Sequence, residues 1–384
     1  MIKKANYIIL GSTGRNTGKT EFACRLIERY SKTHTVYGVK VTTIRRDEGG
    51  CPRGGSGCGV CSSLNADFEI TEEKSSGSVK DTHRMLQAGA GKVFWLKVFK
   101  DALPQGVDAL LKLLPEDAMM VCESNTLRTI IEPGLFFIIR NMADKSVKPS
   151  CADVIQHADK IIGFNKMAWD FTPDRVHIKD QTWIMREKAT AIILAGGKSI
   201  RMGGDDKSLL PVDGQPLIAH IVDQLQGHFD EIIIGSNDPG KYKFLNLRII
   251  QDIEKDKGPL MGILSCLKAS SSEVNFITAC DIPVMNTKLI LDMIQVAKDA
   301  EIVMPVSGDN NYEPLYALYK KSIIPAAEII LKNQGRRIIE LLNDAKVRFF
   351  DFEHSNWYEN LNRKDDYLKF IKTRENKQCF REVS

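Results

Sequence analysis

The stretch AIILAGGKSIRMGGDDKSLLP, Ala191 to Pro211, decides the reading of this chain. Ala191–Leu194 is a short apolar run of the kind that forms a buried strand. The run stops at Ala195-Gly196-Gly197, and the next dozen residues are rich in glycine and carry Arg201 and Lys207. Paired glycines after a strand let the backbone turn sharply and let another molecule come close. The successive N–H groups of such a turn attract anions. Two separated cations then suit an anion with more than one phosphate. The competing reading is a surface loop with solvated charges.

The residues downstream choose between these. PLIAHIVDQLQ places Leu217, Ile218, Ile221, Val222 and Leu225 at helical spacing. FDEIIIGSND reads as a strand ending at Asn237, LRIIQD as another ending at Asp252, and EVNFITACDIP as a buried strand delivering Asp281. GPLMGILSCLKA puts Gly258 and Gly262 at a turn before an amphipathic helix. A glycine loop, Asn237, Asp252 and Asp281 thus fall at strand carboxyl ends, the edge where open α/β sheets bind ligands. Scattered solvated charges are not expected to share one edge. Gly196, Gly197 and the loop behind them can hold a triphosphate, with Arg201 and Lys207 neutralising the charge on departing pyrophosphate. Asp281 has no cation near it in sequence, so it is a Mg²⁺ candidate, because that ion takes one or two carboxylates plus phosphate oxygens. The alternative for Asp281 is a turn residue before Pro283.

A second strand–glycine loop–helix sits at the start of the chain. YIILGSTGRNTGKTEFACRLIERY, Tyr7–Tyr30, carries a strand, then Gly14, Gly18, Lys19 and Thr20, then a helix with Phe22, Leu26 and Ile27 on one face. This is most of a phosphate-binding P-loop, in which Lys19 reaches the terminal phosphates and Thr20 holds Mg²⁺. The position of the motif's first glycine is Thr13, flanked by Gly11 and Gly14. AMMVCESN delivers Glu123 at a strand end, where a metal- or water-positioning acid belongs. Between these pieces lies GGCPRGGSGCGVCSS, Gly49–Ser63. Cys51, Cys58 and Cys61 offer thiols at a spacing that suits Zn²⁺ or an iron–sulfur cluster, with His83 or a cysteine of a partner subunit as a fourth ligand. The alternative is a glycine-rich loop with free thiols.

At 384 residues the chain is long for one core, so two domains are expected, 1–186 and 188–375. A hydrophobic fraction of 43% and a charged fraction of 27% fit an ordinary soluble globular protein. The net charge of +4 lacks the dense basic face of a nucleic-acid binder, and none is expected as a partner. GLFFII, Gly134–Ile139, is too short to span a bilayer, so no membrane is expected. MIKKANYIIL runs straight into a strand and lacks a signal-peptide pattern, which makes a cytoplasmic location the expectation. Nine cysteines fit reduced thiols better than a disulfide scaffold.

Two resemblances attach to these motifs. GRNTGKT, VYGVKVTT, KDTHRMLQAGAGKVFWLKV (Lys80–Val98) and the Glu123 strand resemble the molybdopterin-guanine dinucleotide biosynthesis adaptor, a P-loop GTPase-like family. An N-K-x-D guanine-reading element is not intact, since Asn165-Lys166 is followed by Met167 and Ala168. LAGGKSIRMGGDDKSLLPVDGQPL, GPLMGIL, CDIP and ENLNRKDDY (Glu359–Tyr367) resemble molybdenum cofactor guanylyltransferase. The implied fold is α/β, an N-terminal P-loop NTPase-like three-layer domain followed by a Rossmann-like nucleotidyltransferase domain. The second resemblance implies that Leu194–Gly197 and Lys207 bind GTP phosphates, Asn237 and Asp252 contact the nucleotide, Asp281 carries Mg²⁺, and Asn360 and Asn362 lie on the pterin side. The implied reaction moves GMP from GTP to molybdopterin with release of pyrophosphate. The implied partners are GTP, molybdopterin with or without molybdenum, and molybdoenzymes or other cofactor-biosynthesis proteins. A transferase of the same fold using CTP or a sugar phosphate, or a non-catalytic nucleotide-binding carrier, remains an alternative.

Overall fold

The computed structural model describes residues 1–46, 64, 66–74, 80–196, 206–307, 311–352 and 359–382. Cys51, Cys58, Cys61, Gly197 and Arg201 lie outside the described residues. The chain divides into two compact units, Met1–Met185 and Arg186–Ser384.

The first unit is built on β1 (Ile2–Ser12), β2 (Val36–Ile44), β3 (Phe68–Glu72), β4 (Lys92–Phe99), β5 (Met119–Glu123), β6 (Ile131–Asn141) and β7 (Lys160–Phe164). They form one sheet in the order β3-β4-β2-β5-β1-β6-β7. Every pairing is parallel except β3 with β4. The near-continuous apolar runs of β1, β5 and β6 follow from this, because a parallel sheet is covered on both faces. The helices are α1 (Lys19–Tyr30), α2 (Asp81–Gln87), α3 (Leu103–Leu111) and α4 (Pro149–Ala152). On α1 the buried side chains are Phe22, Ala23, Leu26 and Ile27, one stripe at helical spacing. Phe22 meets Phe137 of β6 edge to face at 6.2 Å. Its neighbour Phe136 faces the other way, into a core with Leu103, Val107 and Leu110 of α3. A hairpin of β8 (Val176–Lys179) and β9 (Thr182–Met185) ends the unit, with Trp183 fully buried and its indole N–H donating to Asn6 O at 3.0 Å.

The second unit contains β10 (Glu187–Leu194), the short hairpin β11 (Pro211–Val212) and β12 (Gln215–Pro216), β13 (Phe229–Gly235), β14 (Arg248–Ile250), β15 (Val274–Ala279), β16 (Ile302–Ser307), β17 (Asn311–Tyr312), β18 (Tyr316–Lys320) and β19 (Val347–Phe352). Its main sheet runs β14-β13-β10-β15-β18-β16-β17, with β19 pairing β16. The strands β14, β13, β10 and β15 are parallel, and β18 is antiparallel to β15. The helices are α5 (Leu217–Leu225), α6 (Pro259–Ala269), α7 (Thr287–Val296), α8 (Ile324–Lys332) and α9 (Lys364–Glu382).

Alternate residues of β10 feed two cores, as strand geometry requires. Ala191 and Ile193 pack with Leu217, Ile218 and Ile221 of α5. Ile192 packs on the opposite face with Leu260, Ile263 and Leu267 of α6 and Ala327 and Leu331 of α8. From β10 the chain steps outward to β13 and β14, then crosses to β15 on the other side. Such a reversal leaves a crevice at the strand carboxyl ends. No helix among the described residues is long and apolar enough to cross a membrane.

Candidate functional site

Main-chain hydrogen bonds tie the carboxyl ends of the second sheet together. Ala195 N–H donates to Gly235 O at 2.9 Å, Ser236 N–H to Ile250 O at 2.9 Å, and Cys280 N–H to Leu194 O at 3.1 Å. The residues just beyond β10, β13, β14 and β15 therefore lie side by side.

Lys207 opens a short 3-10 turn, Lys207–Leu209, that is pinned at several points. Asp206 accepts from Ser208 N–H at 3.0 Å and from Ser208 Oγ at 2.7 Å, and it is ion-paired with Lys241. Ser208 Oγ lies 2.9 Å from the Tyr242 hydroxyl, which donates to Ala195 O at 3.2 Å. Tyr242 is fully buried. The turn carrying Lys207 is thus fastened to the end of β10 through one phenol.

Burial raises the Asp281 carboxyl above its usual range, and the Lys207 charge pulls it back only in part. Asp281 has no cation near it in sequence, and the fold brings Lys207 close enough for its charge to act on it. Burial likewise pushes the neighbouring Cys280 thiol up to about 12, so that sulfur is a neutral packing group. Asp281 O accepts from Leu361 N–H at 2.8 Å, and Leu361 is fully buried. The anchor holds Asn360 and Asn362, both exposed, on either side of it.

Asn237 and Asp252 bond to each other. Asn237 Nδ2 donates to Asp252 Oδ2 at 2.8 Å, and Asp252 N–H donates to Asn237 Oδ1 at 2.9 Å. The pair splices the β13 and β14 ends. Asp252 also abuts the start of α6, where its Oδ1 lies 3.4 Å from the point a side chain at Gly262 would occupy. Gly258 begins α6 at φ 83 and ψ −177, a conformation essentially confined to glycine. Gly196 is exposed, with open space where a side chain would project.

In the first unit the loop after β1 is equally tethered. Ser12 N–H donates to Asn125 Oδ1 at 2.8 Å, and Asn125 Nδ2 donates to Ser12 O at 3.1 Å. Gly18, at φ 76, precedes α1 in the left-handed region, with the Phe164 ring 3.0 Å from its would-be Cβ. Lys19 Nζ is 3.7 Å from Glu123 Oε2. Glu123 is 1% exposed, and neither carboxylate oxygen has a hydrogen-bond partner. Asp81 is ion-paired with Lys40 and hydrogen-bonded to Thr20. Burial pushes the Asp81 carboxyl up, but Lys40, Thr20 and Lys19 outweigh it and hold the group below the usual range. Gly14, Gly18, Lys19, Thr20 and Glu123 thus share one end of the sheet. Among the described residues there is no group of three or more His, Cys, Asp or Glu placed to hold a metal. A divalent ion at either loop would therefore depend on ligand phosphate oxygens for most of its coordination. Asp281 at one loop, and Glu123 with Asp81 at the other, fit that arrangement.

The sequence did not point to Asp206, Lys241, Tyr242 or Asn125. Asp206 and Asn125 lie within the quoted stretches, but their partners Lys241 and Ser12 are distant in the chain, as Ala195 is from Tyr242.

The second unit has relatives among known proteins. Residues 191–347 match the MobA-like NTP transferase domain. A protein of Carboxydothermus hydrogenoformans named "Probable molybdenum cofactor guanylyltransferase" is 33% identical over 193 residues, which cover 48% of this chain and 96% of the relative. A protein of Vibrio parahaemolyticus named "Molybdenum cofactor guanylyltransferase" is 31% identical over 182 residues, covering 47% of this chain and 93% of the relative. A crystal structure of molybdopterin-guanine dinucleotide biosynthesis protein A from Archaeoglobus fulgidus covers 49% of this chain and 99% of its own, at 19% identity and a TM-score of 0.42.

Proposed function

Through its C-terminal half this chain belongs to the molybdenum cofactor guanylyltransferase family and is a nucleotidyltransferase, and from that premise we propose that it makes molybdopterin guanine dinucleotide from GTP. A terminal phosphate oxygen of molybdopterin forms a bond to the α-phosphorus of GTP. The bond from that phosphorus to the bridging oxygen of the β-phosphate breaks in line, and pyrophosphate leaves. The nucleophile is already an anion, so no general base is needed. That agrees with the absence of a His–carboxylate pair from the candidate residues at this rim.

The observation that carries this reading is that Lys207 lies near enough to Asp281, at the end of β15, for its charge to act on that carboxyl. Lys207 and Arg201 offset the charge that builds on the departing pyrophosphate. The main chain at Leu194–Gly197 cradles the phosphates, and the Asn237–Asp252 splice with Gly258 shapes the nucleoside side. Asp281 would hold Mg²⁺, which supplies charge neutralisation between phosphate oxygens. Asn360 and Asn362, anchored through Leu361, face the acceptor. Positioning and electrostatics of this kind suffice for phosphoryl-type transfer.

We assign the first unit a nucleotide-binding role at the P-loop-like Gly14–Thr20, with Thr20 and Glu123 toward a magnesium ion. The buried Glu123 carboxylate, ion-paired with Lys19 at 3.7 Å but without a hydrogen bond, supports that role. Incubating the full chain with Mg²⁺, molybdopterin and α-labelled GTP or CTP tests the main reading. Label should pass to the pterin from GTP. Equal transfer from CTP would replace the guanylyl assignment, and transfer from neither would end it.

A further inference from the structure

A lysine that belongs to no motif completes the cationic lining of the N-terminal loop. Lys148 lies after β6, just ahead of α4, and is far from the loop in sequence. Its main chain is stitched to the loop, with its N–H donating to Thr13 O at 3.0 Å. Its side chain follows, and Nζ donates to Ser12 Oγ at 3.2 Å. Ser12 Oγ in turn donates to Gly14 O at 3.0 Å, so Lys148 sits against the loop's own curve.

Its charged neighbours are mostly cations. Lys19 and Arg15 are close enough to act on Lys148 electrostatically, as is the Glu123 carboxylate. Cys151, the remaining titratable neighbour, lies on α4 with its thiol raised by burial, so it is neutral. Lys148, Lys19 and Arg15 therefore gather around the buried Glu123 carboxylate, which has no hydrogen bonds of its own, while Asp81 acts on Lys19 and bonds Thr20. Gathering like charges in a half-buried place is unfavourable without an anion to share. Burial first, then the Lys19 charge, lowers the Lys148 ammonium to about 8.

We propose that Lys148 is a phosphate-contacting residue of the N-terminal site, reaching the β- or γ-phosphate of a nucleoside triphosphate alongside Lys19. The inference rests on the assignment of that loop as a nucleotide site. It goes beyond it in naming a contact that comes from outside the glycine loop.

The test is calorimetric titration of the full chain with the magnesium complex of a non-hydrolysable GTP analogue. A Lys207→Ala background weakens the C-terminal site and leaves the N-terminal one to be read. Lys148→Ala and Lys148→Met should each weaken binding about tenfold or more, as loss of a charge-assisted hydrogen bond does. Lys148→Arg should bind within about threefold of the background, by the same scale. In the background protein affinity should fall about tenfold between about pH 7 and about pH 9, because an ammonium near 8 loses its proton there. That slope should vanish in Lys148→Arg. A thermal melt of each variant separates lost contact from lost fold. Unchanged affinity and slope in the Lys148 variants, with binding abolished by Lys19→Ala, would overturn the proposal and leave the nucleotide site standing. No binding by the background protein would overturn both.

Discussion

The two glycine loops share a local plan and differ in their acids. At the end of β1 the acid facing the loop lysine is sealed in: Glu123 is 1% exposed and 3.7 Å from Lys19. At the end of β10 the acid is Asp281, only partly buried, with its carboxyl raised by burial and eased by Lys207. The first loop is tethered at Ser12 by reciprocal bonds with Asn125 and by the Lys148 side chain. The second is held by Tyr242 and Ser208, which tie its Lys207 turn to Ala195, and the exposed Asn360 and Asn362 flank the Leu361 anchor on Asp281. The nucleotidyltransferase relatives match the second unit, and on that ground we assign the chemistry to its loop.

The sharpest way to break that assignment is to disable each loop in turn. Lys207→Ala or Asp281→Asn should each lower the turnover of GMP transfer by about a hundredfold or more, the usual loss for a charge aimed at a transition state. Lys19→Ala should cost less than about tenfold in the same label-transfer assay, since it touches no reacting atom. Equal losses would mean that both loops serve the transfer. Gly258→Ala comes next. Its φ of 83 and ψ of −177 force strain on any side chain, for a stability loss of about 1–3 kcal/mol by chemical unfolding and a raised KM for GTP. Tyr242→Phe sharpens the view that the second loop is held by Tyr242. Removing the hydroxyl leaves Ala195 O short of a donor, and the expected cost is about 1–2 kcal/mol. A fall in kcat larger than the rise in KM would show that Lys207 has shifted.

The smallest effect concerns stability and carries an opposite sign. The Asp281 carboxyl is raised above its unfolded value, so the folded protein takes up that proton more readily than the unfolded chain. Its contribution favours folding in acid and is lost as pH rises through the folded pKa. In metal-free protein at neutral pH, Asp281→Asn should therefore raise the melting temperature while abolishing turnover. A lowered melting temperature would show that the carboxylate is a structural group.

Much of the architecture can be read from periodicity. The stripes of α1 and α5 and the apolar runs of β1, β5, β10 and β15 are local patterns, and the structure buries them as such. The glycine loops and the strand-end acids were also legible, because each sits beside its own strand. The pairings were not. Asn237 and Asp252 read as separate ligand contacts, yet they spend hydrogen bonds on each other. Asp281 reads as a carboxylate without a cation, because Lys207 reaches it only through the parallel pairing of β10 with β15. Tyr242 looks like an ordinary residue of a polar loop, and only the fold turns its hydroxyl toward Ala195.

One measurement decides between the loops: a crystal structure of the full chain with Mg²⁺ and a GTP analogue that cannot react at its α-phosphorus. The account predicts a triphosphate lying from Gly196 to Lys207, with a magnesium ion touching Asp281 and with Asn360 and Asn362 free to meet the acceptor. A triphosphate seated only against Lys19, with the Asp281 rim unliganded at saturating analogue, would contradict it.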